Sequence, residues 1–312
     1  MPTVRRRSHC FCFLVTAALA CDTSNSTPTQ RIVKPPPRPV EQQAKPGPPG
    51  TYNLRGTPIM GRTRRQESRF DIDSAQLTAK AGAFTFTGTM ALHGETAEEL
   101  EVHVVEEGLI RSGRLRHVLD KTTTTTRMNL ADGTVDTETE EEFGELHGRV
   151  EVIDYANGRW TRKLVGAAPS AELARDLEDA PIEDASYPAA VKLGESWTVT
   201  GPDLRRWLGS EFTATTGQIT STLADVEVLP AETIVTIRSA GEFGGTMREE
   251  GGDMAFTMKL QVTERRSLER AVEIDGSGQG TLEISGAYVE DGMPVSLSMT
   301  GPITIKFKGA VL

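Results

Sequence analysis

From about residue 68 onward the dominant hydrophobic period is two, a repeat that a helix cannot place on one face. Phe84, Phe86, Gly88, Met90 and Leu92 alternate with Thr85, Thr87, Thr89 and Ala91; Leu100, Val102 and Val104 alternate with Glu99, Glu101 and His103. Met254, Phe256, Met258, Leu260 and Val262 alternate with Ala255, Thr257, Lys259 and Gln261. Val295, Leu297 and Met299, then Ile303, Ile305 and Phe307, do the same. Each run buries one face and wets the other, as strands of an antiparallel sheet do.

Between the runs stand Asp132-Gly133, Asn157-Gly158, Asp275-Gly276 and Asp291-Gly292, dipeptides that supply the positive φ angles of tight hairpins. Consecutive strands are therefore expected to pair as a meander. No alternation of strands with long helices occurs, so a doubly wound nucleotide-binding fold is not expected. The expected fold is all-β, an antiparallel meander forming a curved sheet, an open barrel or a sandwich.

Two interruptions read as short helices. In Pro169–Asp179, Leu173 and Leu177 sit one turn apart and Pro181 ends the run; in Pro202–Gly209, Leu204, Trp207 and Leu208 share a face. A division at about 168–186 allows two halves, 51–167 and 187–312, within the β domain 51–312. No residue-by-residue self-similarity links them.

The net charge of −10 is unevenly spread. Residues 1–20 carry Arg5, Arg6 and Arg7 and no acid, giving +3; residues 21–50 carry four bases and two acids, giving +2; residues 51–312 are left with −15. Such a surface repels phosphate backbones, and the densest basic cluster, Arg62, Arg64 and Arg65, is too small for a nucleic-acid stripe. No nucleic-acid partner is expected.

Residues 1–20 join a basic start to an apolar run from Cys10 to Ala20, too short for the roughly twenty residues that span a bilayer. They read as a signal peptide. All three cysteines, Cys10, Cys12 and Cys21, fall at or before its end, so residues 22–312 hold no disulfide, thiolate zinc site or cysteine nucleophile. The run Ala18-Leu19-Ala20-Cys21 resembles the lipobox of bacterial lipoproteins, with Ala18 standing where leucine is usual. The resemblance implies that Cys21 becomes N-terminal and is acylated (palmitate among the acyl groups), and that Asp22 favours inner-membrane retention where enteric rules hold. The alternative is a conventional secretory signal cleaved near Ala20, with Cys21 a free thiol.

Residues 28–49 hold eight of the seventeen prolines, so residues 21–50 form no ladder or helix interior. They read as a disordered, semi-rigid polyproline II tether, which at ~3.1 Å per residue reaches roughly 80 Å. Pro35-Pro36-Pro37-Arg38-Pro39 could also dock an SH3-like partner, a less economical account of the same prolines. Further on, the segment from Tyr187 to Trp197 (YPAAVKLGESW) resembles a phrase in families of envelope-associated bacterial β proteins. Physically it is an extended entry, a turn at Gly194, and Trp197 entering the core at a strand start.

Catalytic signatures are sparse. There is no G-x-S-x-G elbow, and His93, His103, His117 and His147 form no H-E-x-x-H pair and read as surface residues. Gly276-Ser277-Gly278-Gln279-Gly280 lacks the following helix of a phosphate cradle and reads as a hairpin turn. If Asp132-Gly133 is a two-residue turn, Arg127 faces Glu138, Thr125 faces Glu140 and Thr123 faces Glu142. Asp136, Glu138, Glu140 and Glu142 then line one face of an outer hairpin whose charge resists edge-to-edge association. Neighbours ~7 Å apart cannot all reach one calcium ion, which leaves at most a weak cation patch.

The expected protein is lipid-anchored in the cell envelope, facing the periplasm or the cell surface. Its β domain is expected to be non-enzymatic, to bind a protein partner or hydrophobic ligand or to be structural, and to need no cofactor or metal. One alternative is a carrier whose concave face, with Met254, Phe256 and Met258, holds acyl chains. Another is an envelope hydrolase using paired carboxylates, for which the sequence singles out no acid.

Overall fold

The computed structural model describes residues 50–312 except 57, 107–108, 130–132, 158, 167, 171–172, 175–176, 178–186, 201–203, 205–211, 250–251 and 291–292. The leader, Cys21 and the tether up to residue 49 lie outside the described residues. So do Trp207 and Leu208.

The strands are β1 (Thr51–Tyr52), β2 (Thr63–Ala81), β3 (Phe84–Glu106), β4 (Leu109–Asn129), β5 (Val135–Phe143), β6 (Val150–Ala156) and β7 (Arg159–Leu164). After them come β8 (Val191–Lys192), β9 (Ser196–Thr200), β10 (Phe212–Val228), β11 (Thr233–Glu249), β12 (Gly252–Ser267), β13 (Val272–Glu290) and β14 (Met293–Val311). β1 pairs β8; the others form one sheet in the order β7-β6-β4-β3-β2-β14-β13-β12-β11-β10-β9, with β5 also on β4. Every pairing is antiparallel. The fold is thus the all-β meander that the alternation predicts, and it remains open between its edge strands.

β2 and β14, far apart in sequence, pair in the middle of the sheet, so both sides of residues 168–186 contribute to one ladder. That ladder breaks between Thr300 and Thr304, around Pro302, which has no N–H to give. β5 and β6 share the edge of β4: β5 takes residues 121–129 and β6 takes 112–116.

At two of the expected turns the flanking strand residues pair as a two-residue connection requires, Gly158, Asp291 and Gly292 themselves lying outside the described residues. Ala156 lies opposite Arg159 with Asn157 at φ +54°, and Glu290 lies opposite Met293, leaving Asp291-Gly292 between them. Two differ. Asn129 faces Val135, so residues 130–134 make a longer connection and the β4–β5 register slides by one: Arg127 faces Thr137, Thr125 faces Thr139 and Thr123 faces Glu141. Asp275-Gly276 lies inside β13, and residues 268–271 make that turn instead, with Ala271 at φ +50°.

The glycine run 276–280 is likewise mid-strand and not a hairpin. Its glycines are there for space: a Cβ on Gly276 would lie 2.2 Å from the Phe307 ring, and one on Gly280 would lie 1.9 Å from the Lys259 carbonyl oxygen. Strand glycines of this kind let neighbouring backbones and rings close in where a sheet bends.

Phe70, Ile72, Leu92, Phe243, Met254, Phe256, Met258, Leu282, Met299 and Ile305 lie on one face of the sheet and are all buried. A flat sheet would leave that face wet, so the sheet curls over it; Phe243 and Phe256 meet edge to face at 6.4 Å between ring centres. Leu204, helical and fully buried, joins this core. A second cluster joins Leu54 and Val191 to Leu223, Val226, Val235 and Ile237, with Trp197 partly buried against it as its place after Gly194 (φ +81°) predicts. A third, around Leu100, Val102, Ile110, Leu115 and Ile153, fills the β3–β4–β6 corner.

The first predicted helix is visible in part. Leu173 and Ala174 are helical, Ala174 N donates to Ser170 O and Leu177 N to Leu173 O, and Ser170 Oγ caps the turn by accepting from Leu173 N at 3.0 Å. Leu173 and Leu177 are both buried, as their one-turn spacing predicts.

Candidate functional site

Two groups of ionisable side chains lie on the core-facing side of the sheet, and neither is visible as a local motif. The first is at the end of β12 and β13. The alternation that buries Met254 to Leu260 continues to Glu264 and Arg266, so these polar residues also point inward. Arg266 is 1% exposed; its guanidinium lies 4.4 Å over the Tyr187 ring, pairs with Glu273 and donates to Arg55 O at 3.0 Å. The Tyr187 hydroxyl reaches Glu264 Oε1 at 2.9 Å and Glu273 Oε1 at 3.4 Å.

Burial first, and the neighbouring Glu273 second, push the Glu264 carboxyl up to about 7. Burial likewise raises the Tyr187 phenol well above its ordinary range. Two carboxylates thus share one phenol beside one guanidinium, and near neutral pH the Glu264 carboxyl is part-protonated. Chemically this is an acid–base pair, but its oxygens are engaged by Tyr187 and Arg266, which close the cluster upon itself.

The second group bridges β3, β4, β6 and β7. His117 is 4% exposed; its Nδ1 lies 2.9 Å from Glu98 Oε1 and its Nε2 lies 2.7 Å from Glu151 Oε1. Arg162 grips Glu151 with Nε at 2.7 Å and a second nitrogen at 2.8 Å. Burial works against the imidazolium, but bonds to Glu151 and Glu98 outweigh it and hold His117 at about 9; His117 and Arg162 hold Glu151 at about 2 against its own burial. Both ring nitrogens therefore carry protons that are engaged, and His117 has no lone pair to offer a metal or a substrate. Nearby, Asp120 is raised by burial, and its carboxylate occupies the space that a Cβ on Gly144 would need.

The expectation of four surface histidines needs correction on this point. His117 is buried, and His93 sits in a β2–β3 ladder between Asp71 and Glu95, with its pKa raised chiefly by Asp71. His103 and His147 are exposed. Among the described residues, no group of three or more histidines, cysteines or acids is arranged to hold a metal ion.

The acidic strand is also placed differently from expectation. With the register slid by one, Glu138, Glu140 and Glu142 lie opposite Thr126, Thr124 and Thr122. Thr122 is buried, and Met128, four residues along the same face from Thr124, packs on the main core. The acids thus extend the core-facing side outward through a threonine column and do not form a separate outer face. Met254, Phe256 and Met258, the candidate acyl-chain lining, are 4%, 3% and 2% exposed and pack into the core.

No family model matches the chain, and no curated protein matches it. Among solved structures, an outer membrane channel from Pseudomonas putida F1 is similar at 10% identity over 82% of this chain and 97% of that one, with a TM-score of 0.20. A likeness of that size carries no argument about function.

Tyr187, Glu264, Arg266 and Glu273 escape a motif search because they come from three separate segments. One signal was present in the sequence: a period of two carried past Val262 puts Glu264 and Arg266 on the core side. For His117 and Glu151 the sequence holds no such signal, since Glu151 lies between Val150 and Val152 and a simple alternation would bury the valines.

Proposed function

We propose that this is an exported, lipid-anchored cell-envelope protein whose β domain works by binding or by its shape, without catalysis. The signal-like leader, Cys21 in its lipobox-like setting and the proline-rich tether support the address. The observation that carries the non-enzymatic reading is the filled interior. Met254, Phe256 and Met258 are spent on packing with Phe243, Leu204 and Met299, and the ionisable groups beside that core are engaged with one another.

The carrier reading requires the same methionines and phenylalanine to part and admit an acyl chain. The hydrolase reading now has a definite pair, Glu264 and Glu273, and requires Tyr187 and Arg266 to release it. Two measurements test the reading together. Labelled palmitate should enter the native chain and not the Cys21→Ser variant, which should leave the membrane fraction. Mass spectrometry of an organic extract of the native protein, purified without denaturant, should show no stoichiometric lipid beyond the acyl anchor. A stoichiometric second lipid would establish the carrier in its place.

A further inference from the structure

We propose that the rim of the sheet where β2 begins is a membrane-contacting surface, with the Ile59-Met60 turn inserting between lipid headgroups and arginines beside it pairing with their phosphates. This rests on the envelope reading above. The turn is rigid. Arg62 N donates to Ile59 O at 3.3 Å, Gly61 sits at φ +75°, and β3 clamps the turn through Gly61 N to Val102 O at 2.8 Å and Val102 N to Arg62 O at 3.0 Å. Pro58 is buried while Ile59 and Met60 are 45% and 63% exposed, so the fold holds apolar side chains outward on a pinned support. Leu312, whose N–H donates to Thr63 O at 2.8 Å, adds exposed apolar surface beside the start of β2, and the exposed Val228 and Leu229 stand farther along the same end of the sheet, at the close of β10.

Around this turn the charge reverses. The domain carries −15, yet on the outward face Arg62, Arg65, Arg114 and Arg116 gather here against Glu67, Glu99 and Glu101, a local +1, while Arg64 turns its guanidinium to the buried side. Arg114 and Arg116 line a shallow groove with Thr63, Glu99 and Glu101, and neither Arg62 nor Arg114 makes an ion pair with a described residue. At physiological salt, charges beyond ~8 Å are largely screened, so a headgroup at this rim meets the arginines and not the distant acids. Exposed apolar side chains flanked by cations are what an interfacial lipid surface selects.

The tether argues for the same occupant. The chain outside the described residues ends at residue 49, and β1, which begins two residues later, lies at this end of the sheet, with Leu54 packed against Leu223, Val226 and Val235. An acylated Cys21 would therefore join the bilayer to this end of the sheet, within the ~80 Å that the tether reaches.

The test uses the chain from residue 21 carrying Cys21→Ser, which keeps every described residue and lacks both acyl chain and leader. It should sediment with vesicles of phosphatidylethanolamine and phosphatidylglycerol at 3:1 and only weakly with pure phosphatidylcholine. Ile59→Ser with Met60→Ser should weaken binding roughly tenfold. Arg114→Gln and Arg116→Gln should each weaken it about fivefold, less at high salt. Phe84→Ser, 71% exposed at the opposite end of β2–β3, is the control and should bind as the parent does. All these sites are exposed, so thermal melts should stay close to the parent's. Absence of vesicle binding, an unchanged Ile59/Met60 double variant, or an equal loss with Phe84→Ser would overturn the proposal, the first in favour of a protein partner. Palmitate labelling of the native chain reports the anchor independently, so either reading can fail alone.

Discussion

His117 Nε2 donates to Glu151 Oε1 across 2.7 Å in a setting where Glu151 is 0% exposed and Val152, beside it, is 45% exposed. β6 thus inverts the usual pattern, with its acid inside and its valine outside. The inversion holds only because His117 and Arg162 meet the carboxylate from two neighbouring strands. A buried charge without partners costs far more than a buried valine contributes.

Removing one partner of this group should be severe. Glu151→Gln leaves His117 and Arg162 facing a neutral amide and should cost about 3 kcal/mol in urea unfolding. A triple variant, Glu151→Leu with His117→Leu and Arg162→Met, should recover a large part of the loss. Equal stability of the single variant and the parent would show that the group carries no net weight.

The same pair sets a pH window. His117 is raised from 6.5 to about 9, so its contribution is complete below 6.5 and is lost as pH rises through 9. Glu151 is lowered from 4.5 to about 2, so its contribution is complete above 4.5 and is lost as pH falls through 2. Thermal melts of the parent, compared with the triple variant, should show this extra stability at full strength between 4.5 and 6.5.

Glu264 has the opposite sense to Glu151. Its carboxyl is raised from 4.5 to about 7, so the folded state holds the proton more tightly and stability falls as pH rises through this range, by roughly 3 kcal/mol. Glu264→Gln should remove that slope and leave the protein more stable than the parent at pH 8. A variant whose melting temperature tracks the parent's across the whole range would contradict this.

Gly276 and Phe307 form a packing pair that admits no Cβ, since the nearest ring atom would lie 2.2 Å away. Gly276→Ala should cost roughly 2 kcal/mol, and Phe307→Leu in the same chain should recover part of it. Strict additivity of the two substitutions in urea titrations would mean that the ring is not the obstacle.

Glu138, Glu140 and Glu142 border the open edge strand β5. Replacing all three with glutamine should lower solubility while leaving the urea midpoint little changed. The converse, constant solubility with a shifted midpoint, would make them structural.

Much of this architecture is legible in the amino-acid order because the period of two, the dipeptides Asn157-Gly158 and Asp291-Gly292, and the one-turn spacing of Leu173 and Leu177 are local matters of backbone geometry. Long-range facts are not encoded that way. Nothing within β2 or β14 alone specifies that they pair, and glycines 276–280 look like a turn until Phe307 is seen to need the space. Faces are equally contextual. Val118 is an extra residue opposite the Ala97–Glu98 step, so Leu115 and His117 face inward before it and Thr122 after it.

The sequence by itself determined the strand period, the antiparallel class and the charge of the domain, since each depends on neighbours along the chain or on composition alone. Only the tertiary structure decided which polar residues are buried together: Tyr187 with Glu264, Arg266 and Glu273, and His117 with Glu98, Glu151 and Arg162. The physical reason is that an ionisable side chain is tolerated inside a sheet only when strands far apart in sequence bring it a partner, and register, bulges and curl settle which strands those are.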